Sequence, residues 1–97
     1  MGSGLYNKIY AAGYMYGAEL TESIAKSGNF VIPKGDWLIA ADSASDYKIQ
    51  FKKPGTSTWV DIYPTGTGGY VISDGVSFRA LNTDASNATT LSYFSVE

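Results

Sequence analysis

The sequence predicts an all-β protein: a small antiparallel β-sandwich, jelly-roll-like or immunoglobulin-like, with an N-terminal arm. Two observations predict it. From about residue 29 onward, apolar and polar residues alternate in short runs, which is the period of half-buried strands. Those runs are broken at short, regular intervals by Gly, Pro, Asn and Asp, as in two-layer antiparallel folds. At 97 residues the chain forms one domain, read as an arm or first strand over 1–27 and a sandwich over 28–97.

Residues 19–28 are the ambiguous part. Leu20 and Ile24, with Glu22 and Lys26, have helical i,i+4 spacing and Gly28 is placed to end a helix. The β pattern downstream tips the reading toward an extended strand. "NFVIPKGDWLIAA" is two short apolar runs around a Pro/Gly turn. "DYKIQFKK" puts Tyr47, Ile49 and Phe51 on one face and Lys48, Gln50 and Lys52 on the other, a strand with one wet side. After the turn "KPGTST", "WVDIY" sets Val60 and Ile62 against Trp59, Asp61 and Tyr63. Asp74-Gly75 reads as a type I′ hairpin between "YVIS" and a strand with Val76, Phe78 and Ala80 on one face. "TTLSYFSVE" supplies the last of six or so strands.

Composition narrows the function. With no His and no Cys, the chain has no disulfide, no thiolate zinc site and no Ser–His–Asp or Cys–His machinery. Net charge is −2 and the basic residues are scattered, Lys52-Lys53 being the only adjacent pair, so no stripe for nucleic acid is expected. No apolar run is long enough to span a membrane, and no secretion signal is expected at the N-terminus. Charged residues make up 16% and apolar residues 44%, a lean charge content that fits a protein with covered surfaces and self-association.

Few residues are placed to do chemistry. "TGTGG" at 65–69 lacks the Gly-Lys-Ser/Thr ending of a phosphate loop and reads as a turn. Asp42 and Asp46 flank "SAS"; a solvated turn is the first reading, with a calcium loop or a carboxylate pair as alternatives. Asn87-Ala88-Thr89 matches a glycosylation sequon by chance. No catalytic residue, metal or cofactor is expected. Trp37 belongs to an apolar run and reads as core. Trp59 and Tyr63 are half-exposed candidates for a protein interface or a sugar platform. Arg79 is either a surface arginine or a partner for a carboxylate such as Asp61 or Asp74. Four of the eight tyrosines, Tyr6, Tyr10, Tyr14 and Tyr16, lie with Met15 in "GLYNKIYAAGYMYGAEL". Tyrosine suits interfaces, and Gly13 and Gly17 let a backbone follow a partner's contour, so these five residues read as an interface arm.

"SGNFVIPKGDWLIAA" and "GGYVISDGVSFRALNTDASNATTLSYFSV" resemble small head decoration (cement) proteins and related β-sandwich modules of tailed bacteriophages. The similarity covers roughly residues 27–97 and rests on a strand–Pro-x-Gly-x–aromatic pattern, a Ser-Asp-Gly turn before Arg79 and Asn82, and a Thr/Ser/Tyr-rich final strand. It implies a β-sandwich without catalytic residues that forms homo-oligomers, often trimers. It also implies binding to the major capsid protein at the outer surface of the head. The alternative is a sugar- or receptor-binding module of a tail fibre or collar.

Overall fold

The computed structural model describes residues 16–40, 47–63 and 68–96, and every regular element among them is a strand. Eight strands follow in order: β1 (Leu20–Ile24), β2 (Asn29–Val31), β3 (Gly35–Ala40), β4 (Tyr47–Lys52), β5 (Trp59–Tyr63), β6 (Gly69–Ser73), β7 (Phe78–Asn82) and β8 (Thr89–Ser95). They pair as a folded ribbon: β4 with β5, β3 with β6, β2 with β7 and β1 with β8, all antiparallel. The ribbon wraps so that successive pairs fall in alternate layers. Contacts of β8 with β3 and of β7 with β4 then complete two four-stranded sheets, ordered β1-β8-β3-β6 and β2-β7-β4-β5. This is the jelly-roll order, which resolves the choice left open with the immunoglobulin type.

The sandwich starts earlier than residue 28. Leu20–Ile24 is a strand, in register with Thr89–Tyr93, and Ile24 is buried in the core. Residues 25–28 form the turn to β2, closed by the Gly28 N–H donating to the Ala25 carbonyl, so the helix-like spacing is not used. Of the tyrosine-rich stretch, Tyr16 pairs with Val96; Tyr6, Tyr10, Tyr14 and Met15 lie outside the described residues, as do Asp42 and Asp46.

Alternation sets the core. Ile39, Val71 and Leu91 from the first sheet meet Tyr47, Ile49 and Ala80 from the second, all nearly or fully buried. Trp37 packs edge-on against Tyr93 at 5.1 Å between ring centroids, and its Nε1–H donates to the Pro33 carbonyl. Burying side chains of this size contributes about 1.5–3 kcal/mol each, which a chain of this size needs in the absence of disulfides.

Two expectations fail for physical reasons. The first concerns Asp74-Gly75, which is a corner between the sheets: β6 pairs with β3 and β7 with β4 and β2. Only Gly75 has positive φ (94°), whereas a type I′ turn needs it at both centres. Asp74 instead caps the corner. Its carboxylate accepts the N–H groups of Val76 and Ser77 and the Ser77 hydroxyl, at 2.6–2.9 Å. Val76 is therefore an exposed corner residue and not a strand residue. The Ser77 hydroxyl first, then the two N–H groups, hold the Asp74 carboxyl down at about 2. A carboxyl whose pKa is depressed by folding stabilises the fold above its ordinary value of 3.8 and loses that contribution as pH falls toward 2. The urea midpoint should thus drop between pH 4 and pH 2, and Asp74→Asn should flatten that limb.

The second failure concerns Tyr63. A bulge between the Ile49 and Gln50 pairings makes Ile62 the extra residue, so Tyr63 lies opposite Ile49 while Asp61 lies opposite Gln50. Tyr63 is therefore turned inward, away from the face of Trp59 and Asp61. Its ring lies on the backbone of Gly69, where any Cβ would overlap it, and its hydroxyl donates to the Tyr70 carbonyl at 3.1 Å. Gly69→Ala should destabilise the fold by about 1–3 kcal/mol, read as a lower urea midpoint. An unchanged midpoint would mean that the ring has room to move.

Candidate functional site

The bulge that sends Tyr63 inward leaves the outer face of the second sheet to residues with longer reach. Strand pairing aligns Val31, Arg79, Gln50 and Asp61 in one row across all four strands, and Lys52 lies opposite Trp59 in the next. Directly paired residues project to the same side of a sheet, so these side chains meet above β4.

The Arg79 guanidinium lies over the Trp59 ring, 4.2 Å from its centroid, bridging from β7 to β5 across β4. Beneath this bridge Gln50 is only 7% exposed although it belongs to an outer face. Its amide is used at both ends: Oε1 accepts from Arg79 Nε at 2.8 Å, and Nε2 donates to Asp61 Oδ1 at 2.9 Å. Lys48 Nζ reaches the other Asp61 oxygen at 3.3 Å. Donation from Gln50, then from Lys48, holds the Asp61 carboxyl below its usual range. Arg79 thus reaches Asp61 only through Gln50, and Asp74 is occupied by its own corner, so neither carboxylate pairs with Arg79 directly.

The arrangement is a rigid plate. Ring and amide fix the guanidinium in position, while its Nη groups have no partner among the described residues. A planar cation held in this way, beside an indole edge and the 42%-exposed Val31, can donate to carbonyl or carboxylate groups of another protein with little ordering cost. Trp and Arg are the residue types that most often dominate binding energy at protein interfaces. A stacked sugar is less well served, because Arg79 occupies one face of Trp59 and Tyr63 has left the platform.

Of the expected site residues, the structure brings Trp59 and Arg79 together and separates Tyr63 from both. Gln50 and Lys48 were missed as members. The signal for them was present, since the alternation of β4 places Lys48, Gln50 and Lys52 on one wet face, but nothing in it announced that Gln50 would be roofed over. Asn87 is exposed and holds the Asp84 turn through its own N–H and its side-chain amide. A shallow depression lined by Lys52, Lys53, Pro54 and Val76 opens beside the β4–β5 turn and has no buried polar group aimed into it.

No protein-family model matches the chain, and comparisons with curated proteins and with solved structures return no match. The chemistry of the plate and the topology of the strands are therefore the grounds for a functional reading.

Proposed function

We propose that the chain is a non-enzymatic virion protein of a tailed bacteriophage, a head decoration subunit that binds the assembled capsid as a homo-oligomer. The observation that carries this reading is the preformed Trp59–Arg79 plate, an interface-type pair fixed in place by Gln50 on an open sheet face. The jelly-roll order supports it, because that architecture serves in viral capsid domains, and the sequence resemblance to cement proteins points the same way. Fold alone does not assign a function, so the plate bears the weight.

The mechanism is mass action. A subunit that binds only the closed lattice stabilises it by RT ln(1 + [L]/Kd), and an oligomer engaging several capsid subunits adds avidity without strong single contacts. The partner is the major capsid protein, and the location is the outer surface of the head.

The carbohydrate-binding alternative for a tail fibre or collar retains Trp59 but not the Tyr63 ring that was to complete its platform. Purified protein added to heads lacking it should raise their thermal disruption temperature in a saturable way. Absence of binding and of any shift would overturn the proposal, and a glycan-array signal lost on Trp59→Ala would favour the alternative.

A further inference from the structure

Charge is divided unevenly over the described residues. The plate face and its rim hold Lys48, Lys52, Lys53 and Arg79 against Asp61 and Asp74. Both carboxylates are already engaged, Asp61 by Gln50 and Lys48, Asp74 by the N–H groups and hydroxyl of its own corner. The other described residues have the opposite balance, Glu19, Glu22, Asp36 and Asp84 against Lys26 and Lys34. One face of a net acidic chain is thus basic, and the Lys52 and Lys53 amino groups have no carboxylate partner among the described residues.

Strand pairing makes this face continuous with the depression at the β4–β5 turn. Lys52 stands opposite Trp59, and its N–H donates to the Ser77 carbonyl on the other side. Lys52 and Ser77 line the depression together with Lys53, Pro54 and Val76. Apolar side chains therefore flank the cations: Val31 beside Arg79, and Val76, 67% exposed, with Pro54 at the depression.

We propose that this face docks an acidic segment of the partner protein, a short extended stretch in which Asp or Glu alternates with apolar residues. The inference rests on the plate being the partner-binding surface and adds what the partner presents to it. One carboxylate meets the Nη groups of Arg79, which the stack on Trp59 and the bond to Gln50 leave unused. A guanidinium fixed as a plane suits bidentate donation to a carboxylate. A second carboxylate meets Lys52 and Lys53, and an apolar side chain enters the depression against Pro54 and Val76. Val76 is three residues before Arg79, a span of roughly 10 Å that a few residues of an extended segment cover. The local basic field draws in an acidic partner that the chain's net charge would repel. Nucleic acid is the weaker occupant. Arg79 covers one side of the Trp59 ring, which bases would need for stacking, and a sugar–phosphate chain offers no aliphatic side chain to Val31 or Val76.

The two indoles of the chain give the test an internal control: Trp59 lies on the face, and Trp37, whose Nε1–H is bonded to the Pro33 carbonyl, lies in the first sheet. Isotope-labelled full-length protein is titrated with the end-blocked peptide Leu-Glu-Val-Glu-Leu and with Leu-Gln-Val-Gln-Leu, followed by nuclear magnetic resonance. The glutamate peptide should shift the Trp59 Nε1–H and Arg79 Nε–H signals saturably while the Trp37 signal stays in place. It should bind about tenfold more tightly than the glutamine peptide, and Arg79→Gln and Val76→Asp should each weaken it about tenfold with an unchanged circular dichroism spectrum. No saturable shift at millimolar peptide, equal binding of the two peptides, or unaltered affinity in either variant would overturn the proposal. An oligothymidylate that binds more tightly than the glutamate peptide would assign the face to nucleic acid instead. Heads are absent from this titration. Binding to heads without binding to the peptide removes the acidic occupant alone, and the reverse removes the decoration role alone.

Discussion

Asn82→Ala is expected to lower the unfolding free energy by about 3 kcal/mol, the largest effect of any single polar substitution in the described residues. Asn82 is 2% exposed at the inner end of β7. Its amide donates to the carbonyls of Ile24 and Ala25 at 3.1 Å each and to that of Asn87 at 2.9 Å. Its Oδ1 accepts the Asp84 N–H at 2.8 Å. One side chain therefore ties the end of β1, the turn to β2 and the β7–β8 loop together. Alanine leaves several of those groups unpaired, each costing about 1–3 kcal/mol where water cannot reach and less at the loop edge. For a domain of this size, 1 kcal/mol corresponds to about 4–8 °C, so Tm should fall by about 12–25 °C. A fall of under about 4 °C would mean that water replaces the amide at little cost.

Trp59→Ala is expected to weaken partner binding by about thirtyfold or more, the effect of truncating an interface residue worth at least 2 kcal/mol, while leaving the fold intact. The ring faces away from the core, so its loss removes the stack on Arg79 without opening a cavity. Arg79→Lys should weaken binding as well, because a lysine cannot both stack as a plane and donate from Nε to Gln50. Tyr63→Ala is the contrasting case: it removes a ring packed on the core and should cost about 3–5 kcal/mol of stability. The measurement is a titration against heads lacking the protein, with circular dichroism to verify folding. Equal affinity of Trp59→Ala and the unaltered protein would remove the plate from the site.

The alternation of Tyr47, Ile49 and Phe51 against Lys48, Gln50 and Lys52 was legible in the sequence, and the structure uses it as read. The two-layer β architecture was equally legible, because turn residues recur at strand-length spacing throughout. The errors share one cause, which is that local pattern does not reveal pairing. Asp74-Gly75 has hairpin chemistry, yet its flanking strands belong to different sheets, and only long-range partners decide that. The period of "WVDIY" is correct up to Asp61 and then shifts by one at a bulge set by the facing strand, which moves Tyr63 to the core. Leu20–Ile24 is the contrasting case: its spacing is helical, but the extended reading favoured by the β pattern downstream is the one the structure uses, because the segment pairs with β8 and tertiary pairing overrides a weak local preference. The site was half legible for the same reason: Trp59 and Arg79 stand twenty residues apart in sequence, and only the β7-β4-β5 order puts one over the other.

Locating the protein in purified particles by three-dimensional reconstruction tests the central claim most directly. The proposed function predicts density for the sandwich on the outer surface of the head, clustered at joints between capsid subunits, with the Trp59–Arg79 face turned toward the capsid. Density at a tail fibre or collar, or none anywhere on the particle, would contradict it.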